Sequence, residues 1–378
     1  MTPSNRPETI QDLRADIPAL DGTSYLNYGA HGPSPRHVVE AAASFLQSHE
    51  FEAPATSDPY EHAFEAYERA RERIASLLGA RPGEVALTES TAGGISAVAG
   101  AVDWSPGDVV VRTDLEHPAG VLPWQRLERR GIEVRVVETD EGYVDTGAFA
   151  EAVAGADLTC FSATTWTHGT ELPVADMVEV AHDAGAFALV DAVQVPGQAP
   201  LDVTEWGADA VAAAGHKWLL GPWGGGFLHV DPDAVTDLEP AGIGYRSVET
   251  PTADPYELES GARRFEIGSA NPAPHVALAE AIETATGIGL DRIEERIGRL
   301  TARLADGLPA ERLLGPDPPE TGLVTIDVDD PAATVERLAG EGIVIRDLPH
   351  PDAVRASVHA VNTAEDVDRL IDGLEREW

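Results

Sequence analysis

The sequence contains a single cysteine, Cys160, among its 378 residues. One thiol cannot form an intrachain disulfide or a CxxC-type zinc or redox motif, so these sites are excluded. Basic residues are also scarce, with 26 against 65 acidic ones, which gives a net charge of −39. Nucleic-acid binding needs a basic surface, and this balance argues against it. The sequence has no run of about 18 apolar residues and no signal-peptide pattern, so we expect a soluble, cytoplasmic protein.

The acidic residues are spread along the whole chain rather than gathered in a tail. We therefore expect an acidic folded surface whose self-repulsion is relieved by salt, because the Debye length falls to about 3 Å at 1 M ionic strength. The composition predicts a halophilic protein, adapted to a salt-rich cytoplasm. An ordinary acidic enzyme is the alternative interpretation.

Lysine is almost absent: Lys217 is the only one, and all other Lys/Arg positions are arginines. A lysine amine loses its proton when it is desolvated and then attacks carbonyl groups, whereas a guanidinium stays charged. Lys217 is therefore a candidate for covalent chemistry, with chance survival of one lysine as the alternative.

Residues 25–272 alternate short apolar strands with helical stretches, which is typical of an α/β fold with a mostly parallel sheet. We expect this segment to form a large domain, and residues 273–378 to form a small α+β domain together with residues 1–24. In the large domain, strands are predicted at 84–88, 108–112, 132–137, 158–162, 187–191, 208–213 and 226–230, and helices at 58–78, 119–130 and 174–184. In the small domain, helices are predicted at 273–286, 290–307, 332–340 and 364–377, and strands at 322–328, 343–346 and 354–358.

Two motifs place reactive side chains after predicted strands. The strand in FALVDAVQ ends in Asp191, and Lys217 follows 26 residues later in AAAGHKWLLGPWGGG. Ligands of parallel α/β sheets bind at the carboxyl ends of the strands, so both side chains are candidates for one site. A lysine and a carboxylate together suit pyridoxal phosphate, since the lysine forms a Schiff base and the acid keeps the pyridine nitrogen protonated. A buried ion pair, or a simple cap in the case of Asp191, is the alternative.

A third motif, TESTAGGISAVAG, opens a helix of small residues at Ser90 and Thr91. Helix N-termini bind phosphate through free N–H groups, although capping alone also explains the pattern. The glycines at 224–226 are a weaker candidate. No GxGxxG follows the first strands, which disfavours dinucleotide binding, and none of the 12 histidines lies in an HExxH-like metal motif.

In combination these motifs resemble the class V aminotransferase family of fold-type I pyridoxal-phosphate enzymes, which includes cysteine desulfurases and isopenicillin N epimerase-like proteins. The resemblance runs from LNYGAHGPSP near residue 26 to the C-terminus. It implies a large domain with a mostly parallel seven-stranded sheet, a small α+β domain and a homodimer with shared active sites. The segments that carry it are DAVQ (191–194), GHK (215–217), RFEIGSAN (264–271), LEHPAGVLPW (115–124) and RASVHAVNTAEDVD (355–368).

The resemblance implies catalytic roles for three residues. Lys217 would bind pyridoxal 5'-phosphate covalently, Asp191 would pair with the pyridine nitrogen, and His117 would stack on the ring. Gln194 would donate a hydrogen bond to the phenolic oxygen of the cofactor. Without the resemblance, His117 would be interpreted as an exposed loop residue.

The resemblance also implies binding roles at both ends of the ligand. Thr91 and His216 would contact the cofactor phosphate, Ala92 would belong to the cofactor-binding set, and Ser269 would reach the phosphate from the other subunit. Arg355 would hold the α-carboxylate of an amino acid substrate, which is a natural bidentate pairing.

Three features depart from the family pattern. Ala214 replaces a hydroxyl residue that usually contacts the phosphate, and Thr165 and Trp166 stand where desulfurases tend to have a polar Ser-Asn pair. The loop before the carboxylate-binding arginine, where desulfurases carry a nucleophilic cysteine, is LPHPDAV (348–354). Cys160 lies in a predicted apolar strand and is expected to be inert.

The sequence therefore favours an aminotransferase acting on an amino acid and disfavours a cysteine desulfurase. A lyase, β-eliminase or epimerase on the same scaffold is the enzymatic alternative. A cofactor-binding protein without turnover is the non-enzymatic one. Substrate identity is left open, because the pocket is expected to be formed by loops at 30–34, 242–246 and 348–352.

Overall fold

The computed structural model describes residues 6–377 of the chain. Its helices, numbered along the chain, are α1 (Ile10–Ala15), α2 (Arg36–Gln47), α3 (Ala53–Thr56), α4 (Pro59–Leu77), α5 (Thr91–Ala101), α6 (Leu122–Glu128), α7 (Thr146–Val153), α8 (Val174–Asp183), α9 (Ala273–Ile288), α10 (Leu290–Asp306), α11 (Pro331–Gly340) and α12 (Ala364–Leu374). Its strands are β1 (Ser24–Tyr25), β2 (Val85–Thr88), β3 (Val109–Thr113), β4 (Glu133–Val137), β5 (Leu158–Ser162), β6 (Phe187–Asp191), β7 (Ala210–Ala214), β8 (Gly226–Val230), β9 (Leu313–Leu314), β10 (Leu323–Ile326), β11 (Ile343–Val344), β12 (Arg346–Pro349) and β13 (Asp352–Ser357).

The largest sheet has seven strands in the order β2-β8-β7-β6-β5-β3-β4. The pairs from β7 through β6, β5 and β3 to β4 are parallel, and β8 is antiparallel to both of its neighbours. The predicted mostly parallel α/β sheet is therefore confirmed. Strands β5, β6 and β8 have the predicted bounds, and the other four begin or end one or two residues away.

Alternate residues of the central strands enter two hydrophobic cores. Cys160 and Leu189 pack in one core, which also contains buried residues of α5. Phe161 and Val190, the next residues along β5 and β6, pack in the other core. Because helices cover both faces, the central strands are continuous apolar runs rather than alternating ones.

The C-terminal residues form a second, smaller sheet in the order β12-β13-β10-β9, which is antiparallel throughout. Strands β1 and β11 make a short parallel pair, and a separate core beneath these elements includes Leu26, Ile326 and Leu370. Helix α9 packs on α2 and α4, and its Leu278 lies in the core of the large sheet. The domain boundaries at 24/25 and 272/273 stay a prediction.

Three predicted elements are wrong in detail. The helix expected at 119–130 is a 3-10 turn at Pro118–Gly120 followed by the shorter α6, because Pro123 has no N–H to donate to the preceding turn and stands instead in the first turn of α6. The single strand expected at 343–346 divides into β11 and β12, which belong to different sheets. The loop expected at 348–352 is the tight hairpin between β12 and β13, with only His350 and Pro351 at its turn. None of the described helices is long and apolar enough to cross a membrane.

Candidate active site

The carboxyl ends of the parallel strands bring most of the predicted site residues to one edge of the large sheet. Thr91 follows β2, His117 follows β3, Asp191 ends β6 and Lys217 follows β7. Trp166, which the sequence analysis noted only as a departure from the family pattern, follows β5. Parallel strands end at the same sheet edge, so these loops surround one crevice.

Lys217 and Asp191 interact electrostatically at the centre of this crevice. Burial lowers the pKa of the Lys217 amine to about 7, even though the Asp191 charge opposes this shift; Arg355 and Arg346 lower it further. Asp191 is 3% exposed, and its Oδ1 accepts a hydrogen bond from the Val193 N–H at 2.9 Å. Burial raises the pKa of Asp191, while the Val193 N–H and Lys217 oppose the rise. With a pKa near 7, about half of the amine is neutral at pH 7, and the neutral form is the nucleophilic one.

The loop at 30–34 packs against the backbone of His216 and Lys217. The Gly32 N–H donates to the His216 carbonyl at 2.8 Å, and a Cβ atom at position 32 would overlap the Lys217 carbonyl oxygen. The His216 ring stacks with His31 at 6.3 Å and meets Trp223 edge-on at 6.1 Å. Burial, followed by the Lys217 charge, lowers the pKa of His216 to about 4, so its imidazole is neutral at pH 7.

Helix α5 begins at the same edge with unused hydrogen-bonding groups. Ser90 is its N-cap, and its Oγ accepts from the Gly93 N–H at 3.1 Å. The first N–H groups of a helix, here those of Thr91 and Ala92, have no acceptor inside the helix. The buried Thr91 hydroxyl also lacks a hydrogen-bond partner among the described residues. These orphaned donors at a helix N-terminus fit a phosphate group.

Gln194 and His117 are the two remaining predicted contacts to the cofactor ring. The Gln194 amide nitrogen donates to the Gly29 carbonyl at 3.0 Å, and its Oε1 accepts from the Trp218 indole at 2.8 Å. Since an amide nitrogen carries two hydrogens, one remains for a ligand. Partial removal from water, then the Lys217, Arg346 and Arg355 charges, lower the pKa of His117 to about 4. Its ring meets Trp166 edge-on at 5.4 Å.

Arg355 is fully buried and points an incompletely satisfied guanidinium group into the site. Its Nη1 donates to the Trp166 carbonyl at 2.6 Å, whereas its Nε and Nη2, like the nearby Ser357 hydroxyl, have no partner within residues 6–377. A Cβ atom on Gly29 would lie 2.8 Å from Nη2, so glycine is needed there to leave room. A buried cation without a counter-charge is costly, and it fits an anionic ligand such as a carboxylate.

Ser269 is the predicted site residue that the structure does not join to the others. It is exposed, and its hydroxyl lies 2.5 Å from the Tyr245 hydroxyl. It borders a cavity of about 360 Å³ whose other lining residues include Phe45, Tyr60 and Phe64. Its described hydrogen bonds reach none of the residues around Lys217, and its role toward another subunit stays a prediction.

Glu116 was missed by the sequence analysis. It is 6% exposed, and its carboxylate accepts from the hydroxyls of Thr113 at 2.6 Å and Ser162 at 2.7 Å. Burial, with a smaller contribution from the Asp191 charge, raises the pKa of Glu116 to about 7 against the effect of these hydrogen bonds. Its position next to His117 in LEHPAG was the only signal in the sequence.

Arg346 was also missed. It lies directly opposite Arg355 in the β12–β13 pair, and its guanidinium sits 5.6 Å from the centre of the Trp166 ring. Its electrostatic influence reaches Lys217, His117 and Arg355. Only the register of two strands, which the sequence did not reveal, could have paired the two arginines.

The single cysteine is far from reactive. Cys160 is fully buried inside β5, and burial raises the pKa of its thiol well above the ordinary range. The prediction that Cys160 is a core residue is confirmed.

The fold and this set of groups define a pyridoxal-phosphate-dependent enzyme of the α/β class. The family model of aminotransferase class-V matches residues 24–370, so the chain belongs to this family, and its cofactor is pyridoxal 5'-phosphate. The resemblance stated from the motifs is confirmed.

Relatives and solved structures agree on the family and differ in activity. The chain is 33% identical to a probable cysteine desulfurase of Methanothermobacter thermautotrophicus, over 97% of both proteins. It is 30% identical to the isopenicillin N epimerase of Streptomyces clavuligerus, over 93% of this chain and 94% of that protein. Two structures of C-DES, at 26% identity, align with TM-scores of 0.90 and 0.88 over 97% and 95% of this chain and 99% and 98% of theirs. One contains glycine covalently linked to the cofactor, and the other describes C-DES as a cystine C–S lyase in complex with its product, cysteine persulfide.

Proposed function

We propose that this protein is a pyridoxal-phosphate enzyme that cleaves the carbon–sulfur bond of a sulfur-containing amino acid without a protein thiol. The proposal rests on one combination: Lys217 has a desolvated amine, two nitrogens of the buried Arg355 guanidinium have no protein partner among the described residues, and the single cysteine is buried in a core strand. The cofactor supplies an electron sink for the bonds at the α-carbon of an amino acid.

The chain has suitable groups for both the cofactor and the α-carboxylate of the substrate. Lys217 would carry the cofactor and move the α-proton, because its lowered pKa makes the neutral amine accessible near pH 7. Asp191 would pair with the pyridine nitrogen, and Gln194 would donate to the phenolic oxygen. His117 would lie over the ring. Arg355 would hold the α-carboxylate through the two nitrogens that lack partners.

The phosphate would sit at the N-terminus of α5. Thr91 offers a hydroxyl and an N–H, and Ala92 offers an N–H. His216 offers a neutral imidazole, which has one N–H that can donate. A phosphate there would satisfy a buried hydroxyl that otherwise has no partner in the described chain.

The names of the relatives favour a different reaction from the aminotransferase reaction that the sequence analysis favoured. They favour cysteine desulfurase, and none of those reported above is an aminotransferase. Desulfuration needs a thiolate that accepts the sulfur, however, and Cys160 is enclosed in a core strand. The segment that would carry such a thiol is a two-residue hairpin turn of His350 and Pro351. Elimination requires no acceptor thiol: substrate and water give a thiol, pyruvate and ammonia.

Transamination, the first choice from the sequence, is the second candidate, and the match to the aminotransferase class-V model supports it. Epimerisation also begins with removal of the α-proton, so the same residues would suit an epimerase.

Product analysis of the holoenzyme separates these reactions. We expect cystine and S-alkylcysteines to yield pyruvate and ammonia continuously, with no persulfide on the protein and no change in a Cys160→Ser variant. Release of alanine with a protein-bound persulfide lost in Cys160→Ser would instead establish desulfuration. Formation of one oxo acid per site, which continues only when a keto acid is added, would establish transamination.

We further propose that the active unit is a homodimer in which Ser269 completes the phosphate site of the other subunit. Its exposed position beside an aromatic-lined cavity supports this assembly. Phe51, 78% exposed, lies in the π-helical turn Ser48–Glu52, whose residues His49 and Glu50 also line this cavity. It offers an apolar surface that a second copy would cover.

A further inference from the structure

Two arginines face each other across the strand pair that closes the active site. Arg346 of β12 and Arg355 of β13 are directly opposite in the antiparallel register, so their side chains leave the same face of the sheet. Like charges in this arrangement destabilise a strand pair. In this chain the Arg346 charge lowers the pKa of Arg355, after the larger effect of burial.

No carboxylate within residues 6–377 forms an ion pair with either guanidinium. Arg355 bonds to the Trp166 carbonyl, and the Arg346 Nε donates to the carbonyl of its own neighbour, Asp347, at 3.1 Å. This is unusual in a chain with 65 acidic residues, where many surface arginines do find acidic partners. The two arginines are therefore left without an acidic partner in the part of the chain that the structure describes.

Trp166 holds these groups in place. Its carbonyl accepts from Arg355, its ring lies under Arg346 at 5.6 Å, and the His117 ring meets it edge-on at 5.4 Å. Its indole Nε1 is buried and has no hydrogen-bond partner in the described part of the chain. The wall beside Lys217 thus offers donors from three side chains and no acidic acceptor for them.

We propose that Arg346 recognises an anionic group at the end of the substrate side chain, so that the substrate is an amino acid with a second carboxylate. One arginine matches the α-carboxylate and the other matches the distal one, with the Trp166 indole N–H as an additional donor. This inference rests on the proposed function, because it assigns the α-carboxylate to Arg355. It makes Arg346 a specificity-determining residue rather than a catalytic one.

Isosteric pairs of amino acids test the inference on the holoenzyme. Dissociation constants would be measured from the change in cofactor absorbance for S-carboxymethylcysteine against S-carbamoylmethylcysteine, and for aspartate against asparagine. We expect the acid of each pair to bind roughly tenfold more tightly or better, as a charge-assisted arginine–carboxylate contact requires. In Arg346→Met the acid-to-amide ratio should fall to about one, and Arg346→Lys should retain part of it.

Two further readouts keep the test independent of folding defects. Arg346→Met should bind cofactor and melt no lower than the wild type in the absence of substrate, because it removes a repulsive pair. Arg130→Met, a loss of the same charge at an exposed turn, should leave the acid-to-amide ratio unchanged.

The outcomes that overturn the inference are distinct from those that overturn the proposed function. A wild-type ratio near one, or an unchanged ratio in Arg346→Met, would refute the second anion site while amino acid binding itself stands. If no amino acid alters the cofactor absorbance, the proposed function fails and the inference fails with it.

Discussion

At the scale of single residues, burial gives ordinary side chains unusual chemistry. The Lys217 amine is surrounded by protein and by two arginines, so its charged form is disfavoured despite Asp191. The opposite shift occurs at Asp191, where the carboxylate loses water and its pKa rises. In a chain whose other Lys/Arg positions are all arginines, Lys217 occupies the position where only a titratable amine can serve.

Replacing Lys217 by arginine should abolish both covalent cofactor attachment and turnover, because a guanidinium does not form a Schiff base. Borohydride reduction of the wild type, followed by peptide mass analysis, should label the Lys217 peptide alone. The control is Arg130→Lys, which adds a second, exposed lysine and should stay unlabelled. A Lys217→Arg enzyme with wild-type activity would refute the assigned site.

The pH dependence of cofactor uptake should report the shifted amine. The apoenzyme should bind pyridoxal phosphate at a rate that rises with pH through a midpoint near 7 rather than near 10.5, because the neutral amine is the attacking form. Stopped-flow absorbance at several pH values would measure it. A midpoint above pH 9 would contradict the desolvated environment.

Stability of the apoenzyme should change over the same interval. Between about pH 7 and 10.5 the unfolded chain holds the Lys217 proton and the folded chain does not, so the free energy of unfolding should rise with pH. Denaturant titrations should show a smaller rise in Lys217→Met, which has no proton to release.

At the scale of elements, the sequence was most informative where a strand is buried on both faces. Strands β5, β6 and β8 were predicted at their observed bounds, because a continuous apolar run between turn residues admits few alternatives. The same sheet edge then located Asp191 and Lys217. The β12–β13 hairpin was not predicted, so the pairing of Arg346 with Arg355 could not be predicted either. Strand register depends on tertiary contacts that no local pattern encodes.

Two neighbouring hydroxyls at the start of α5 should separate stability from ligand binding. Ser90→Ala removes the N-cap bond to Gly93 and should lower the free energy of unfolding by about 1 kcal/mol. Thr91→Val removes a buried hydroxyl that has no partner in the described residues, so the apoenzyme should lose no stability, while cofactor should dissociate faster. Denaturant titration and cofactor release rates would measure the two effects. Equal behaviour of the two variants would argue against the phosphate site at α5.

At the scale of the whole molecule, the net charge of −39 makes stability depend on ionic strength. Raising KCl from dilute buffer to 1 M should raise the melting temperature, because screening weakens the repulsion among surface carboxylates. Sucrose at matched osmolarity serves as the control for solvent exclusion, and it should produce a smaller rise. Equal melting temperatures in dilute buffer and in molar KCl would refute the halophilic interpretation.

The proposed homodimer can be tested through its exposed apolar residues. Phe51 is 78% exposed and Ile267 is 56% exposed, and Ile267 lies two residues before Ser269. If a second copy covers this surface, Phe51→Asp should place a charge in the interface and convert dimers to monomers in sedimentation velocity runs at molar salt. Because Ser269 of one subunit would then be lost from the phosphate site of the other, the monomer should also release cofactor faster. Tyr143→Asp, a change at another half-exposed aromatic residue, should remain dimeric and hold its cofactor. A wild-type chain that sediments as an active monomer would leave Ser269 without its proposed role and remove the dimer from the proposal.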